Sequence, residues 1–246
     1  MSARFTLAEI VEATGGKVVR GKGEQQSCEG VATDTRALQP GELFVALAGE
    51  SFDAHHFLAD AIQAGAAALV VQREDAVLED VSLPVVLVAD TRKALQDLAR
   101  FHRLRFAIPV IAVTGSNGKT STKDMVAAAL GARFNVLKTK GNFNNEIGLP
   151  LTLLSLEPSH EAAVVEMGMR GLGQIAELAD IARPTQGIVT NVGETHLELL
   201  GSVANIAKAK AELVQALPND GIAVLNQDDA LVRSMAAQAP CRVVSY

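Results

Sequence analysis

Tryptophan is absent from this chain of 246 residues, tyrosine occurs once and cysteine twice. Cys28 and Cys241 lie far apart without metal-ligand spacing, which removes a cysteine-based metal site and fits free thiols in a reducing cytoplasm. No apolar run approaches the ~18 residues that would span a bilayer, and the N-terminus has no charged-then-apolar signal pattern. Membrane insertion is therefore not expected. Lysine and arginine form no run, and the net charge is −6, so neither nucleic acid nor an anionic membrane meets an electrostatic footprint. The nearest approach to one is Arg100, Arg103 and Arg105 around His102. These close a predicted helix, where cations suit the dipole.

What is present is an Ala/Val/Leu-rich chain, 48% hydrophobic, long enough for two α/β domains. Strands are predicted at 43–47, 67–71 and 84–88, with a short helix over 60–64. Asp90 or Thr91 can cap a helix through Lys93, Leu95, Leu98 and Phe101. Pro109 marks a junction, which places the domain boundary at 107/108. From there strands are predicted at 108–113, 162–165, 187–192, 222–225 and 242–245, with helices over 203–217 and near 229–237. Apolar strands alternating with helices predict a parallel sheet covered on both faces, with ligands at the strands' C-terminal ends. The chain stops at Tyr246 on a strand with no helix to complete the unit, which reads as a fragment of a longer protein.

The strongest local signal is Val110-Ile-Ala-Val-Thr-Gly-Ser-Asn-Gly-Lys-Thr-Ser121. A strand, a glycine turn and a helix start in that order make a phosphate cradle. Thr114, Gly115, Ser116, Asn117, Gly118, Lys119 and Thr120 form the loop. Lys119 would reach the outer phosphates of a nucleoside triphosphate and the Thr120 hydroxyl would hold magnesium. The usual G-x-x-x-x-G-K-[ST] is shortened here, because Val113 takes the first glycine position and the glycine sits at 115.

Glu166 ends a buried strand and suits a magnesium ligand, although a capping or ion-paired role fits the same residue. His196 follows another strand end, where a neutral imidazole can ligate a metal or simply hydrogen-bond. Over 203–217, the helical period puts Ile206, Lys210, Leu213, Val214 and Leu217 on one stripe, with Lys208 opposite and able to pair with Glu212. An inward ammonium needs a carboxylate partner, a lowered pKa or covalent conversion of the amine, unless it snorkels. Asn142, Asn144 and Asn145 form an amide-rich loop suited to sugar, phosphate or peptide, or to plain turn chemistry. Thr33-Asp34-Thr35-Arg36 reads locally as an Asp-capped turn, and His55 and His56 as packing or capping residues.

Together these motifs resemble the Mur ligases, ATP-dependent amide ligases of peptidoglycan synthesis. The pointers are Thr114–Thr120, Asp34-Thr-Arg36 with Gly41–Leu47, Asn142–Asn145 running into Gly148–Leu154, and Ala207–Glu212. Within the family they favour members that add D-alanyl-D-alanine to UDP-N-acetylmuramoyl-tripeptide through an acyl phosphate. The resemblance implies a small UDP-binding domain over 1–107 and a P-loop parallel-sheet ATPase domain over 108–246, with a third, Rossmann-like domain missing. It implies ATP and Mg2+ as cofactors, a cytoplasmic location and a monomer. It makes Lys119, Glu166, His196 and Lys210 catalytic. Thr120, Glu166, His196 and a carbamylated Lys210 become metal ligands, and Asn226 lies near adenine. Asp34, Thr35 and Arg36 hold UDP, and Asn142, Asn144, Asn145 and Arg170 the muramoyl-peptide side. A non-catalytic UDP-sugar- or nucleotide-binding fragment, a Mur ligase adding a single amino acid, and an unrelated P-loop kinase or NTPase remain alternatives.

Overall fold

The computed structural model describes residues 3–21, 27–49, 52–77, 81–195 and 197–246. In chain order the elements are β1 (Arg4–Thr6), α1 (Leu7–Thr14), β2 (Lys17–Arg20), β3 (Ser27–Glu29), β4 (Val31–Ala32), β5 (Leu43–Val45), α2 (Leu58–Gln63), β6 (Ala68–Val71), β7 (Val85–Leu87) and α3 (Thr91–Arg103). There follow β8 (Val110–Thr114), α4 (Lys119–Gly131), β9 (Val136–Lys138), α5 (Gly148–Leu153), β10 (Ala162–Glu166), α6 (Gln174–Ala182), β11 (Gln186–Val189), α7 (Leu197–Leu200), α8 (Val203–Gln215), β12 (Ile222–Leu225), α9 (Ala230–Ser234) and β13 (Arg242–Ser245).

The chain divides into two compact units. The first runs to His102 and takes back Leu154–Glu157, and the second comprises Arg103–Leu153 and Pro158–Tyr246. The division thus falls inside the last turn of α3, short of the 107/108 boundary read from Pro109. Leu95, Leu98 and Ala99 are wholly buried in the first unit. The neighbouring Arg103 buries its guanidinium in the second, on the carbonyls of Ala182, Phe106 and Ile108 at 2.6–3.2 Å. Those carbonyls give the arginine a structural role in place of an anion site. The return of Leu154–Glu157 is fixed by the Leu154 carbonyl, which accepts from Ala3 N–H at 3.1 Å, and by the Leu156 carbonyl 3.0 Å from His102 Nε2.

In the first unit β4, β5, β6 and β7 run parallel, β2 pairs antiparallel with β7, and the sheet order is β2-β7-β6-β5-β4. The predicted strands at 43–47, 67–71 and 84–88 are three of these. The short strands before residue 33, α1, β9, α5 and α6 are not among the predicted elements, although α1 (Leu7, Ile10, Val11) and α6 (Ile175, Leu178, Ala179, Ala182) each carry an apolar stripe at helical spacing. The Thr6/Glu9 capping box opens α1, and Asp90 caps α3 by accepting from Arg92 and Lys93 N–H. His55 is buried. Its Nε2 accepts from Gln72 N–H at 3.0 Å, so its proton sits on Nδ1, 2.6 Å from Asp53 Oδ1. That is the packing role expected of it.

The second unit is a six-stranded parallel sheet in the order β13-β12-β11-β8-β10-β9. Ile111, Val113, Val164 and Ile188 bury one face with Ala127 of α4. Val189, Ala223 and Leu225 bury the other against Ala211 and Val214 of α8, with Val232 and Met235. Coverage of both faces explains why every residue of β8 and β10 is buried. From β8 the chain goes to β9 and β10 on one side, then crosses to β11 on the other. The loop after β8 therefore leaves the sheet at its topological switch point, where such sheets bind ligands. No helix of the described residues is long and apolar enough to cross a membrane.

Candidate functional site

The strand, glycine turn and helix start form in the predicted order. β8 ends at Thr114, whose hydroxyl donates to the Met167 carbonyl at 2.9 Å. Gly118 takes a left-handed φ of 79° as the residue before α4. The helix start leaves the N–H groups of Lys119, Thr120 and Ser121 without intrahelical acceptors, a ready anion site. Lys119 Nζ folds back onto the Gly115 and Ser116 carbonyls at 2.8 and 3.1 Å. Burial lowers its pKa, while the nearby Glu166 acts in the opposite direction.

Gly115 has φ 151°, and a Cβ there would sit 1.8 Å from Thr190 Oγ1. Gly115→Ala is therefore expected to cost on the order of 1–3 kcal/mol of stability, because loop or strand end must move. A urea midpoint equal to that of the unsubstituted chain would show that this close approach constrains nothing.

Beside the loop, Glu166 is 2% exposed. Its Oε2 accepts from Thr120 Oγ1 and its Oε1 from Asn144 Nδ2, each at 2.8 Å. Its backbone N–H donates to Thr139 Oγ1 at 3.0 Å. The carbonyl of Thr139 in turn accepts from Lys123 Nζ at 2.9 Å. Lys123, one turn into α4, is itself buried and escaped the sequence reading, because a lysine near a helix start reads as solvated.

Lys210 is 2% exposed, and Ile206, Leu213, Val214 and Leu217 are buried with it, as the helical stripe requires. Burial, followed by repulsion from Lys119, lowers its pKa to about 8. Among the described residues no carboxylate pairs with it. The expected Lys208–Glu212 pair on the opposite face does not form. Glu212 instead accepts from Gly173 and Ala176 N–H at 2.7 and 3.1 Å, capping α6. The positive end of that helix is a closer and better-fixed partner than a mobile lysine.

One cavity of about 300 Å3 gathers Gly115, Lys119, Asn142, Asn144, Asn145, Glu146, Gly168, Met169, Arg170, Gln174, Thr195 and Lys210. Seven residues singled out from sequence, spread from 115 to 210, thus line one space at the strands' C-terminal ends. Asn145 also has a structural task, since its Oδ1 accepts from Gly148 N–H at 2.8 Å at the start of α5. Arg170 is exposed, and its N–H donates to Gln174 Oε1 at 2.6 Å. Asn226 does not line the cavity, and its Nδ2 donates to the Thr190 carbonyl at 2.9 Å. His196 lies outside the described residues, next to the cavity-lining Thr195.

Asp34, Thr35 and Arg36 are not part of that cavity. They line one of about 560 Å3 in the first unit, with Phe44, Phe52, Phe57 and Asp60. Arg36 Nε lies 2.9 and 3.1 Å from the two Asp34 oxygens. This hydrogen bonding holds the Asp34 pKa at about 2. Phe52 and Phe57 stack with ring centres 5.7 Å apart.

The Mur ligase middle-domain model matches residues 113–246, and the model described as Mur ligase family, catalytic domain, matches 27–103. The UDP-N-acetylmuramoyl-tripeptide–D-alanyl-D-alanine ligase of Synechocystis is 53% identical over 84% of this chain and 45% of its own length. The Bacillus subtilis ligase of the same name is 44% identical over 98% of this chain and 52% of its own. The chain thus spans about half the length of these curated relatives. A crystal structure of MurF from Acinetobacter baumannii superposes with a TM-score of 0.92 at 33% identity, covering 99% of this chain and 53% of that one. MurF from Thermotoga maritima in complex with ADP gives 0.80 at 33% identity, covering 87% and 49%.

Proposed function

The chain belongs to the Mur ligase family, and on that premise we propose that it carries the nucleotide and UDP-substrate sites of a cytoplasmic, monomeric ligase. That ligase joins D-alanyl-D-alanine to UDP-N-acetylmuramoyl-tripeptide and is driven by ATP. The observation that carries the reading is the single cavity in which Lys119, Lys210, Asn142, Asn144 and Arg170 meet, with Glu166 held beside it by Thr120 and Asn144.

The terminal carboxylate of the tripeptide attacks the γ-phosphorus of ATP, the bond to the β-γ bridging oxygen breaks, and ADP leaves an acyl phosphate. The amine of D-alanyl-D-alanine then attacks the acyl carbon, phosphate departs, and the amine releases a proton. Carboxylates are poor electrophiles, so phosphorylation supplies the leaving group. The protein supplies position and charge. Lys119 leaves the Gly115 and Ser116 carbonyls for the outer phosphates, and the N-terminus of α4 donates to them. Asn142, Asn144 and Arg170 orient the muramoyl peptide, and Asn226 lies on the adenine side.

A buried carboxylate beside the Thr120 hydroxyl presents hard oxygens suited to Mg2+. Glu166 and Thr120 would hold it, with His196 and a carbamate on Lys210 completing the set. When bound there, magnesium would supply charge neutralisation on the transferring phosphoryl group. The carbamate reading answers the burial of Lys210, since conversion turns an uncompensated cation into an anion that can ligate metal.

Calorimetric titration with MgADP and, separately, with UDP-N-acetylmuramoyl-tripeptide tests the reading: saturable binding of both is expected. Phosphate release with and without D-alanyl-D-alanine then separates a ligase from a module that only binds, and a single amino acid as acceptor tests the neighbouring specificity. Binding of ADP without the UDP substrate would remove the UDP-substrate site from this chain. Arg36→Ala is expected to weaken the UDP substrate about tenfold, the value of one charge-assisted contact, and to leave ADP unchanged. Equal loss of both ligands would remove Arg36 from the UDP site.

A further inference from the structure

β11 was predicted over 187–192, yet its ladder ends at Val189. The next two residues turn to the phosphate loop instead. Asn117 N–H donates to Asn191 Oδ1 at 2.9 Å, and Asn191 Nδ2 donates to the Asn117 carbonyl at 3.0 Å. Thr190 Oγ1 donates to that same carbonyl at 2.7 Å. Ser116 N–H donates to the Asn191 carbonyl at 2.9 Å, and Gly193 N–H donates to Ser116 Oγ at 2.8 Å. From the other side, the Thr190 carbonyl accepts from Asn226 Nδ2 at 2.9 Å, and Val192 N–H donates to Asp229 Oδ2 at 2.7 Å. The strand exit is thus gripped by the turn after β12 while it grips the loop after β8.

We propose that Thr190 and Asn191 are positioning residues for nucleotide phosphate binding: they tie the Ser116–Asn117 segment to the strand exit and so fix the loop before any nucleotide arrives. This rests on the nucleotide-binding reading above. The N–H groups of Ser116 and Asn117 are spent on β11's exit and do not serve the phosphates. The donors left for phosphate are those at Gly118 and the first turn of α4. A glycine-flanked loop left free would be ordered at the moment of binding, and that entropy would be subtracted from affinity. Three side-chain hydrogen bonds on the backbone N–H and carbonyl of Asn117 place this cost in folding instead. Neither residue needs to touch the ligand, and the contribution falls on the polyphosphate part of the nucleotide alone.

The test uses the chain as it stands, with Thr190→Val, Thr190→Ser and Asn191→Ala, and titrates each with MgADP and with adenosine. Thr190→Val is nearly isosteric and removes one donor. Asn191→Ala removes a donor and an acceptor. The expected result is an ADP affinity lowered about tenfold in Thr190→Val and Asn191→Ala, the scale of one or two lost hydrogen bonds. Adenosine affinity should be unchanged, and Thr190→Ser should restore the ADP-to-adenosine ratio. Parallel loss of both ligands would indicate general loosening and overturn the proposal, as would undiminished ADP binding. If Asn191→Ala does not fold cooperatively, the Thr190 pair still decides. Failure of the unsubstituted chain to bind ADP would instead sink the nucleotide reading itself.

Discussion

Lys119→Ala is expected to abolish ATP-dependent phosphate release, with a loss of at least about 10²-fold, the usual cost of deleting one preorganised charge donor at a phosphoryl or acyl transition state. The ammonium is half-buried, its charged form already opposed by burial and supported by Glu166. It is held by two loop carbonyls. These hydrogen bonds keep the cation within its own loop. The substitution removes that cation and leaves the N-terminus of α4, with Arg170 and Lys210 in the same cavity. MgADP binding should therefore weaken less than turnover falls, since the transferring phosphoryl group demands more charge than the ground state. Near-normal turnover by Lys119→Ala would show that phosphoryl transfer does not use this loop.

The second large effect is at position 210. Lys210→Ala is expected to lose turnover and to regain part of it with acetate or formate, which can occupy the place of the carbamate. Carbamate formation needs the neutral amine to attack carbon dioxide, and a pKa of about 8 supplies a usable neutral fraction near neutrality. Incorporation of 13C-bicarbonate, read as a protein-bound resonance absent from Lys210→Ala, should fall as pH drops below that value. Turnover insensitive to bicarbonate and to the substitution would exclude the carbamate.

Stability supplies an independent sign. Between about 8 and the ordinary 10.5, the unfolded chain holds a proton on this lysine that the folded chain has released. In the unmodified protein stability therefore rises with pH across that window, and below it the burial cost is fully present. Lys210→Met should flatten that dependence and raise stability at pH 7 by on the order of 1–4 kcal/mol, as apolar replacements of buried charges do. A variant that is more stable yet inactive is the signature of a residue retained for chemistry. Thermal unfolding at pH 7 and pH 10 measures both.

How much of this was legible beforehand divides along one physical line. The phosphate loop, the parallel-sheet class and the inward face of Lys210 are local. A glycine turn between an apolar strand and a helix start, or a charged residue on an apolar stripe, is written within a dozen neighbouring positions, and backbone geometry converts spacing directly into direction. Glu166 was legible for the same reason, as the last residue of a buried strand.

Only the tertiary structure decided the rest. The grip of Asn191 on Asn117 joins residues 74 apart, and Glu212 meets the start of α6 across 39 and 36 positions. Nothing in the period of α8 could turn Glu212 from Lys208 toward a helix end on another segment. The switch-point strand order seats β8 between β10 and β11, and through it Lys119, Asn144 and Lys210 share one cavity. One sequence fixes the direction of each side chain from its own element. Which elements become neighbours is set by the burial of whole sheet faces, a property of the folded chain as a unit.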